Sequence, residues 1–416
     1  ANKMINSCTL CGLCKEVCPT DLDMGAVSLE TRRTMVNKKK MPVSAHDFAL
    51  RDMAFSNSDR FTLTAGPPNG SRCETLFFPG CQLAASNPEY IPLIYQDLAR
   101  TLPGLGIMLR CCGAPADWSG ETDLFEDSGA ILRNEWEALG KPRLVLACSS
   151  CDKMLKTILP GCETMPLWQE LTKAQIEPAG STPPGGVYRI HDPCTSRYER
   201  GWQDSARQLL EGIGVEFGEL KMSRDLTECC GYGGVVWLAN PELTRKIINR
   251  RINEDAGDYI TYCVMCRDLF AAEGKPTLHI LDLLYSQDVA KTARRKPPDY
   301  SQRHENRMRV KQKMVRLLQG KDVDMAEPHE NYRILLSTEM RQKLESRLIL
   351  TEDVQRVIEH AETSGEFFLN QETGHALAYF KPNLITYWVE YSKSGEAYEV
   401  FDAYSHRMEF GGDTSV

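Results

Sequence analysis

Fourteen of the sixteen cysteines in this 416-residue chain fall into three groups, and their spacing is the feature most able to support chemistry. The first group has the pattern C-x2-C-x2-C-x3-C-P and comprises Cys8, Cys11, Cys14 and Cys18. Each of the other two groups combines a single cysteine, a Cys-Cys-Gly run and a C-x2-C pair. Disulfide frameworks occur mainly in short secreted chains. Paired and vicinal cysteines in a large chain instead indicate thiolate ligation of metal in a reducing cytoplasm.

The first group has the spacing of a ferredoxin cluster motif. Its short loops let Cys8, Cys11 and Cys14 converge on one cubane [4Fe–4S] cluster, whereas Cys18, before the proline, corresponds to the residue that ligates the other cluster of two-cluster ferredoxins. Only one copy of the motif is present. We therefore predict that the fourth ligand of this cluster comes from outside the run, and we expect a second motif upstream of residue 1 or on a partner chain. A cubane made by these four cysteines alone would contradict the prediction.

The other two groups each contain five cysteines. The first cysteine set is Cys81, Cys111, Cys112, Cys148 and Cys151, and the second cysteine set is Cys194, Cys229, Cys230, Cys263 and Cys266. Five thiolates exceed the four that a cubane cluster or a zinc ion takes. Vicinal cysteines cannot easily ligate one metal ion together, but they can bridge or ligate different irons of an opened cluster. Gly113 and Gly231 follow the vicinal pairs and are predicted cofactor-binding positions, because a residue without a Cβ lets the backbone approach closely.

Other candidates are weaker. His191 adjoins the Asp192-Pro193-Cys194 run, where its imidazole could hydrogen-bond a cluster sulfur or pass a proton to a product thiol; packing is an equal alternative. Cys73 and Cys162 are either buried structural thiols or a source of the missing cubane ligand. Three histidines of the C-terminal part, His360, His375 and His406, match no metal-site spacing.

The elements that carry the two five-cysteine sets are predicted to repeat. Strand-like runs lead into Cys81, Cys148, Cys194 and Cys263, and runs with helical apolar spacing lie between them. Matching cysteines lie about 115 residues apart, which indicates an internal duplication. Alternating strands and helices predict two duplicated α/β units with parallel sheets. Ligands of such folds bind beyond the carboxyl ends of the strands, where these cysteines are expected.

The rest of the chain is predicted to form different structures. We predict five segments: a helical ferredoxin-like cubane-cluster segment (1–70), repeat 1 (71–180), repeat 2 (185–296), a helical connector (297–363) and an antiparallel β-meander (364–416). Gly/Pro-rich breaks at 66–70 and 178–186 mark the first boundaries. A helix is predicted over 351–363, with Thr351 as its N-cap. The last two segments are expected to form a small α+β tail domain.

These motifs carry a family resemblance. The two repeats of C…CCG…CxxC resemble the CCG domain of the heterodisulfide reductase B-subunit family, and the N-terminal motif resembles the second ferredoxin motif of its C-subunit. Their combination in one chain, over roughly residues 5 to 290, is similar to the fused D-subunit type. The resemblance implies a noncubane [4Fe–4S] cluster on each five-cysteine set, and paired clusters that cleave a disulfide with one electron each. The gap from Cys230 to Cys263 is a little shorter than the family's usual spacing, and the chain beyond about residue 297 lies outside the recognised domain.

Composition narrows the function classes. A formal net charge of −8 argues against nucleic-acid binding, and no apolar run approaches the about 18 residues of a membrane span. We predict an oxidoreductase subunit that receives electrons from a flavoprotein or a cytochrome/iron–sulfur partner in a multi-subunit complex and reduces a small disulfide. Its expected location is the cytoplasm or, through a partner, the inner face of the membrane. The alternatives are an electron-relay subunit of a membrane-associated respiratory complex and the iron–sulfur subunit of a flavin-dependent dehydrogenase.

Overall fold

The computed structural model describes residues 2–180 and 187–407, which divide into two units. Of these residues, the first unit comprises 2–180, 187–298 and 305–323, and the second comprises 299–304 and 324–407. A large apolar core lies in the first unit and a separate one in the second. All fourteen cysteines of the three groups lie in the first unit, so the fold of that unit positions the candidate sites.

The first unit begins with short helices and an edge strand. The helices are Asn2–Ile5 (α1), Leu13–Val17 (α2), Met24–Asn37 (α3) and Asp47–Ser56 (α4), with a 3-10 turn at Val43–Ala45, and the strand is Leu63–Ala65 (β1). Helix α3 starts after Asp23, whose carboxylate accepts a hydrogen bond from the Ala26 amide at 3.0 Å and so caps the helix. Strand β1 pairs antiparallel with residues 107–109 of the following repeat, which joins the N-terminal segment to that sheet.

The first repeat is a parallel α/β unit. Its strands are Thr75–Phe78 (β2), Leu105–Leu109 (β3), Arg143–Leu146 (β4) and Thr164–Pro166 (β5); its helices are Cys81–Ser86 (α5), Tyr90–Thr101 (α6), Ala114–Ser119 (α7), Thr122–Ala138 (α8), Ser149–Ile158 (α9) and Leu167–Lys173 (α10). The parallel strands pair in the order β3-β2-β4-β5. Strands β2 and β3 are buried at every residue, as expected of parallel strands covered on both faces.

The second repeat has the same topology. Its strands are Tyr188–His191 (β6), Phe217–Glu219 (β7), Tyr259–Thr261 (β8) and Thr277–His279 (β9); its helices are Arg200–Gly212 (α11), Val236–Ala239 (α12), Pro241–Ile252 (α13), Val264–Ala272 (α14), Asp282–Tyr285 (α15) and Val289–Ala293 (α16), with 3-10 turns at Cys194–Ser196, Arg224–Leu226 and Gly233–Val235. The strand order β7-β6-β8-β9 matches that of the first repeat strand for strand, and all pairs are parallel. The predicted duplicated α/β fold with parallel sheets is confirmed.

The second unit is a mixed α+β domain, as predicted. Helix Tyr300–Gln319 (α17) precedes it and contributes residues to both units. Its own elements are the 3-10 turn Pro328–Asn331, strand Arg333–Leu335 (β10), helices Thr338–Arg347 (α18) and Thr351–Ser364 (α19), and strands Phe368–Leu369 (β11), Ala376–Phe380 (β12), Thr386–Ser394 (β13) and Ala397–His406 (β14). Strands β11 to β14 pair antiparallel in chain order, and β10 adds to β14 in parallel. The buried face of α19 packs in the same core as the sheet.

Some sequence predictions need correction or lie outside the described residues. Thr351 is not the N-cap of α19: Leu350 is, and its amide donates to the Asp353 carboxylate at 2.9 Å, so that an acidic residue inside the first turn satisfies this amide. Residues 181–186 of the predicted break and 408–416 of the predicted meander fall outside the described part. The segment boundaries within the first unit stay predictions. Among the described helices, none has the length and apolar composition that crossing a membrane requires.

A half-buried carboxyl in the second unit makes its stability sensitive to pH. Burial and the nearby Asp299 carboxylate raise the pKa of Glu345 to about 7, against an ordinary value of 4.5, although Glu345 accepts a hydrogen bond from the Tyr300 amide at 3.0 Å. The folded protein therefore holds this proton more tightly than the unfolded chain does. The stability that this difference contributes is present below about pH 4.5 and is lost as the pH rises through 7.

We therefore expect Glu345→Gln to stabilise the second unit more at pH 8.5 than at pH 5.5, with a gain of about 1–2 kcal/mol at the higher pH. The glutamine keeps an acceptor for the Tyr300 amide and removes the buried charge. Hydrogen exchange of peptides from residues 338–364 at both pH values measures the effect. The matched control is Glu339→Gln, an exposed carboxyl on the same helix. An equal gain at both pH values would contradict the assignment.

Candidate iron–sulfur sites

The thiols of both five-cysteine sets lie where parallel strands end. Cys81 begins the helix that follows β2, Cys111 and Cys112 follow β3, and Cys148 caps the helix that follows β4. The second repeat places its cysteines at the equivalent ends, with Cys194 after β6 and Cys263 after β8. Because parallel strands end at one edge of their sheet, cysteines that are far apart in sequence meet there.

The first cysteine set forms a continuous network of thiols. Hydrogen bonds between thiols link Cys81 to Cys111, Cys111 to Cys112, Cys112 to Cys151 and Cys151 to Cys148. The bonds with Cys111 and Cys151 lower the pKa of Cys112 to about 6, and the bond with Cys151 lowers the pKa of Cys148 to about 7. The thiol neighbours and burial raise the pKa of Cys81 and Cys151. The network thus favours the thiolate form at Cys112 and Cys148, and the thiolate is the form that binds metal.

The second cysteine set repeats this network. The sulfurs of Cys194 and Cys229 lie 3.9 Å apart, and further hydrogen bonds link Cys229 to Cys230, Cys230 to Cys266 and Cys266 to Cys263. The bonds with Cys229 and Cys266 lower the pKa of Cys230 to about 5. The second cysteine of the vicinal pair is thus acidified in both repeats. Ten thiols in two buried groups, with thiolates favoured inside each, fit the donor set of two iron–sulfur clusters.

The glycine after each vicinal pair has a backbone conformation that other residues rarely adopt. Gly113 has φ +85° and Gly231 has φ +94°. A Cβ on Gly113 would lie 2.9 Å from the Phe125 ring, and one on Gly231 would lie 3.2 Å from the Thr244 methyl group. Glycine at these positions therefore allows the turn that directs both vicinal thiols into one site.

The N-terminal motif lies against the second repeat. The thiol of Cys11 hydrogen-bonds to Cys229, and this contact raises the pKa of Cys11 while it lowers that of Cys229. Cys18 instead pairs with the Thr20 hydroxyl at 3.2 Å. We call residues 8–14 the N-terminal loop. The structure thus brings this loop, through Cys11, into direct contact with the second cysteine set, whereas the ligand assignments for Cys8, Cys14 and Cys18 stay predictions.

A cavity of about 60 Å³ lies beside the first cysteine set. All five cysteines of that set line it, and the second repeat contributes Cys263, Val264, Met265 and Tyr232. Trp118 closes another side and meets the Tyr232 ring edge-on, with 6.0 Å between the ring centroids. None of the described residues that line this cavity is Asp, Glu, Lys, Arg or His, so thiolates are the charges that its lining can carry. Both repeats therefore contribute to one cavity without a cationic side chain.

The isolated candidates have other surroundings. His191 is buried, its Nδ1 accepts a hydrogen bond from Arg251 at 3.1 Å, and its ring meets Phe270 edge-on. No hydrogen bond of the described residues links it to a cysteine, so its predicted catalytic role stays a prediction. The thiol of Cys73 is buried in the core of the first repeat and that of Cys162 contacts the Pro142 carbonyl, both of which favour a structural role.

The three C-terminal histidines that the sequence offered as a metal site have separate partners. His360 stacks on Phe380, His375 bonds Glu390 at 2.8 Å, and the indole of Trp388 donates to His406 at 3.0 Å.

A different group in the second unit has metal-ligand chemistry: Glu327, His329 and Glu352 lie with donor atoms within 4.8 Å of one another. The Arg356 guanidinium lies 3.1 Å from Glu327 and 2.6 Å from Glu352. Because this guanidinium already supplies positive charge to both carboxylates, the geometry favours a salt-bridge network over a metal site.

The residues that hold the N-terminal loop belong to no motif that is recognisable in the sequence. Arg32 and Arg197 donate hydrogen bonds to its backbone carbonyls, and Gly233 packs against it. Single arginines in a helix and a turn carry no spacing signal. The Gly231-Tyr-Gly-Gly234 run was a visible signal for close backbone approach, but the sequence did not identify what approaches it.

The comparisons with known proteins agree with this geometry. The CCG family model, described as "Cysteine-rich domain", matches residues 75–156 and 188–268. The chain is 29% identical over 312 residues to the B-subunit of the fumarate reductase (CoM/CoB) of Methanothermobacter marburgensis, which covers 68% of this chain and 61% of that protein. It is 23% identical over 297 residues to the D-subunit of the dihydromethanophenazine:CoB–CoM heterodisulfide reductase of Methanosarcina mazei, covering 63% of this chain and 71% of the relative.

A third relative is named for a different electron partner. The chain is 24% identical over 336 residues to "EtfAB:quinone oxidoreductase" of Syntrophomonas wolfei, with 68% of this chain and 46% of the relative covered. The chain thus matches less than two thirds of the length of the first and third of these relatives.

The contact between Gly233 and the N-terminal loop yields a direct test. A Cβ on Gly233 would lie 2.4 Å from the Thr9 carbonyl oxygen, too close for any side chain. We expect Gly233→Ala to displace the loop and to raise hydrogen exchange of residues 5–14 severalfold. The control is Gly212→Ala, at a position where a Cβ would meet no atom within 4 Å. Equal exchange in both variants would show that the loop does not depend on this contact.

Proposed function

Because the chain is a double-CCG-domain protein related to the D-subunit of heterodisulfide reductases, we propose that it is an iron–sulfur oxidoreductase subunit that reduces a disulfide or a related sulfur substrate. The first and second cysteine sets each hold a noncubane [4Fe–4S] cluster, and Cys8, Cys11 and Cys14 hold a cubane one. When bound, these clusters supply one-electron transfer. The chain acts within a complex on the cytoplasmic side, with a flavoprotein or a cytochrome/iron–sulfur subunit as the electron donor.

The observation that carries the proposal is that the two cysteine sets meet. All five thiols of the first set line the cavity in which their cluster would lie, and Cys263 of the second set stands in the same wall. A substrate sulfur at the Cys263 edge therefore lies beside thiols of both sets. Cleavage of a disulfide takes two electrons and two protons and gives two thiols. Two one-electron sites facing one cavity match that requirement.

The walls of the cavity support the same chemistry. Trp118, Tyr232, Val264 and Met265 present apolar surface to the substrate and exclude water from the thiols. The lining has no cationic side chain and its favoured thiolates are negative. Neutral sulfur compounds are therefore favoured, because an anionic substrate would lose its hydration there without gaining a cationic partner.

The contact between Cys11 and Cys229 supports an order of electron transfer. Electrons enter through the N-terminal loop, reach the second cysteine set first and meet the substrate in the cavity shared with the first set. The relay subunit is the alternative, supported by the similarity to the EtfAB:quinone oxidoreductase.

An assay with reduced viologen distinguishes these functions. We expect the anaerobically purified, cluster-loaded chain to oxidise the dye when bis(2-hydroxyethyl) disulfide, a neutral substrate, is added, and to be slower with the anionic glutathione disulfide. Cys112→Ser and Cys230→Ser should lower the rate at least tenfold, because each removes a favoured thiolate. Cys162→Ser, outside both sets, is the control. Intact clusters without turnover on any disulfide would favour the relay.

The metal content tests the cofactors independently of turnover. We expect about twelve irons per chain with a similar amount of acid-labile sulfide, at four irons per cluster. Cys112→Ser should lower the count by about four irons, whereas Cys162→Ser should leave it unchanged. Zinc in place of iron, with near-zero sulfide, would overturn the cluster assignment.

A further inference from the structure

Five arginine side chains of the described first unit are at most 1% exposed: Arg32, Arg197, Arg251, Arg267 and Arg307. Three of them have carboxylate partners, since Arg251 pairs with Glu254, Arg267 with Asp268 and Arg307 with Asp52. For Arg32 and Arg197 every hydrogen bond goes to a backbone carbonyl, and no carboxylate of the described chain lies within ion-pair distance of either. Buried cations without an anion are rare, because desolvation of the charge is costly.

Arg32 joins the N-terminal loop to both repeats. Its guanidinium donates to the carbonyls of Cys8 at 2.7 Å, Trp118 at 2.7 Å and Gly234 at 2.9 Å, and twice to Ile5. An arginine side chain stays cationic at neutral pH.

Arg197 holds the other end of the N-terminal loop. Its Nε donates to the Cys11 carbonyl at 3.0 Å, and its terminal nitrogens donate to the carbonyls of Thr227 and Asp225 in the second repeat. The two guanidinium groups thus contact the main chain of the first two predicted cubane ligands. They hold the loop against the segment that carries Cys229 and Cys230.

The missing anion has one candidate beside the N-terminal loop. Thiolate-ligated iron–sulfur clusters carry net negative charge, and the loop contributes the predicted ligands Cys8, Cys11 and Cys14. A buried cation beside a cluster stabilises the reduced state, which is the more negative one, and so raises the reduction potential. Carbonyl partners leave the positive charge of both arginines uncompensated and available to such a cluster.

We propose that Arg32 and Arg197 are the buried countercharges of the N-terminal cluster, which raise its reduction potential and position it for electron transfer to the second cysteine set. The inference depends on the cubane cluster of the proposed function but not on the proposed substrate. Both arginines act through the cluster and are positioning residues.

A redox titration of the cluster-loaded full chain, followed by EPR spectroscopy, tests the proposal. The signal of the N-terminal cluster is the one that Cys14→Ala removes. We expect Arg32→Gln and Arg197→Gln each to lower its midpoint potential, so that the ratio of reduced to oxidised cluster falls about tenfold at the parent midpoint, which is about 59 mV for one electron. Arg32→Lys and Arg197→Lys keep the charge, so their ratio of reduced to oxidised cluster should stay within about threefold of the parent's ratio.

Neighbouring exposed arginines provide matched controls. Arg33→Gln and Arg200→Gln remove the same formal charge from side chains that are 38% and 59% exposed and already paired with Asp117 and Asp225. The proposal would be overturned if the glutamine variants of Arg32 and Arg197 shift the midpoint potential of the N-terminal cluster no more than these controls do. If a glutamine variant fails to retain the cluster, the iron content of the matching lysine variant distinguishes a countercharge from a structural role. Retention with lysine supports a countercharge, and loss with lysine overturns it in favour of a purely structural hydrogen-bonding role.

The readout separates this inference from the proposed function. A chain that reduces no disulfide but shows the potential shift would refute the substrate assignment and leave the countercharge role standing. If the chain turns over disulfides but the arginine variants leave the potential unchanged, the countercharge role is refuted and the substrate assignment stands.

Discussion

Parallel strand pairing is the constraint on which the rest of the first unit depends. Cysteines about 35 residues apart in sequence can share a site only if the strands before them end side by side. Strands β2, β3 and β4 are hydrogen-bonded neighbours, and β6, β7 and β8 repeat the arrangement. The apolar residues of these strands bury the sheet, and the burial fixes the edge at which five thiols meet. The duplication then supplies a second site with the same strand order.

The buried thiols and arginines of the first unit have an uneven distribution of charge. Thiols packed together in a protein interior cannot all ionise, and hydrogen bonding within each set concentrates the thiolate character on particular members, such as Cys112 and Cys230. Buried arginines lie near these cysteines in the first unit. Arg307, which also donates to the Cys81 carbonyl, is balanced by Asp52, so its field at the first set is reduced. Arg32 and Arg197 have no such balance among the described residues.

The two repeats share a topology but differ in what lies beside them. The second cysteine set contacts the N-terminal loop through Cys11, whereas the first set faces the cavity. Tyr232, which borders the cavity, stacks on Trp237 at one face and meets Trp118 at the other. Two repeats with nearly the same cysteine pattern thus have different surroundings.

The sequence by itself determined the cysteine groups, the duplication and the α/β class. Cluster motifs and the junctions between strands and cysteines are short patterns that can be recognised in the order of residues. The glycine after each vicinal pair was also predictable, since its requirement is a property of a short turn. Only the tertiary structure decided that Cys11 contacts Cys229, that both repeats line one cavity, and that two arginines of the described chain lack carboxylates. These facts depend on distances between residues separated by up to about two hundred positions, which no local pattern encodes. Burial of charge is likewise a property of the packed chain, since an arginine in a helix looks the same in sequence whether a carboxylate or a cluster balances it.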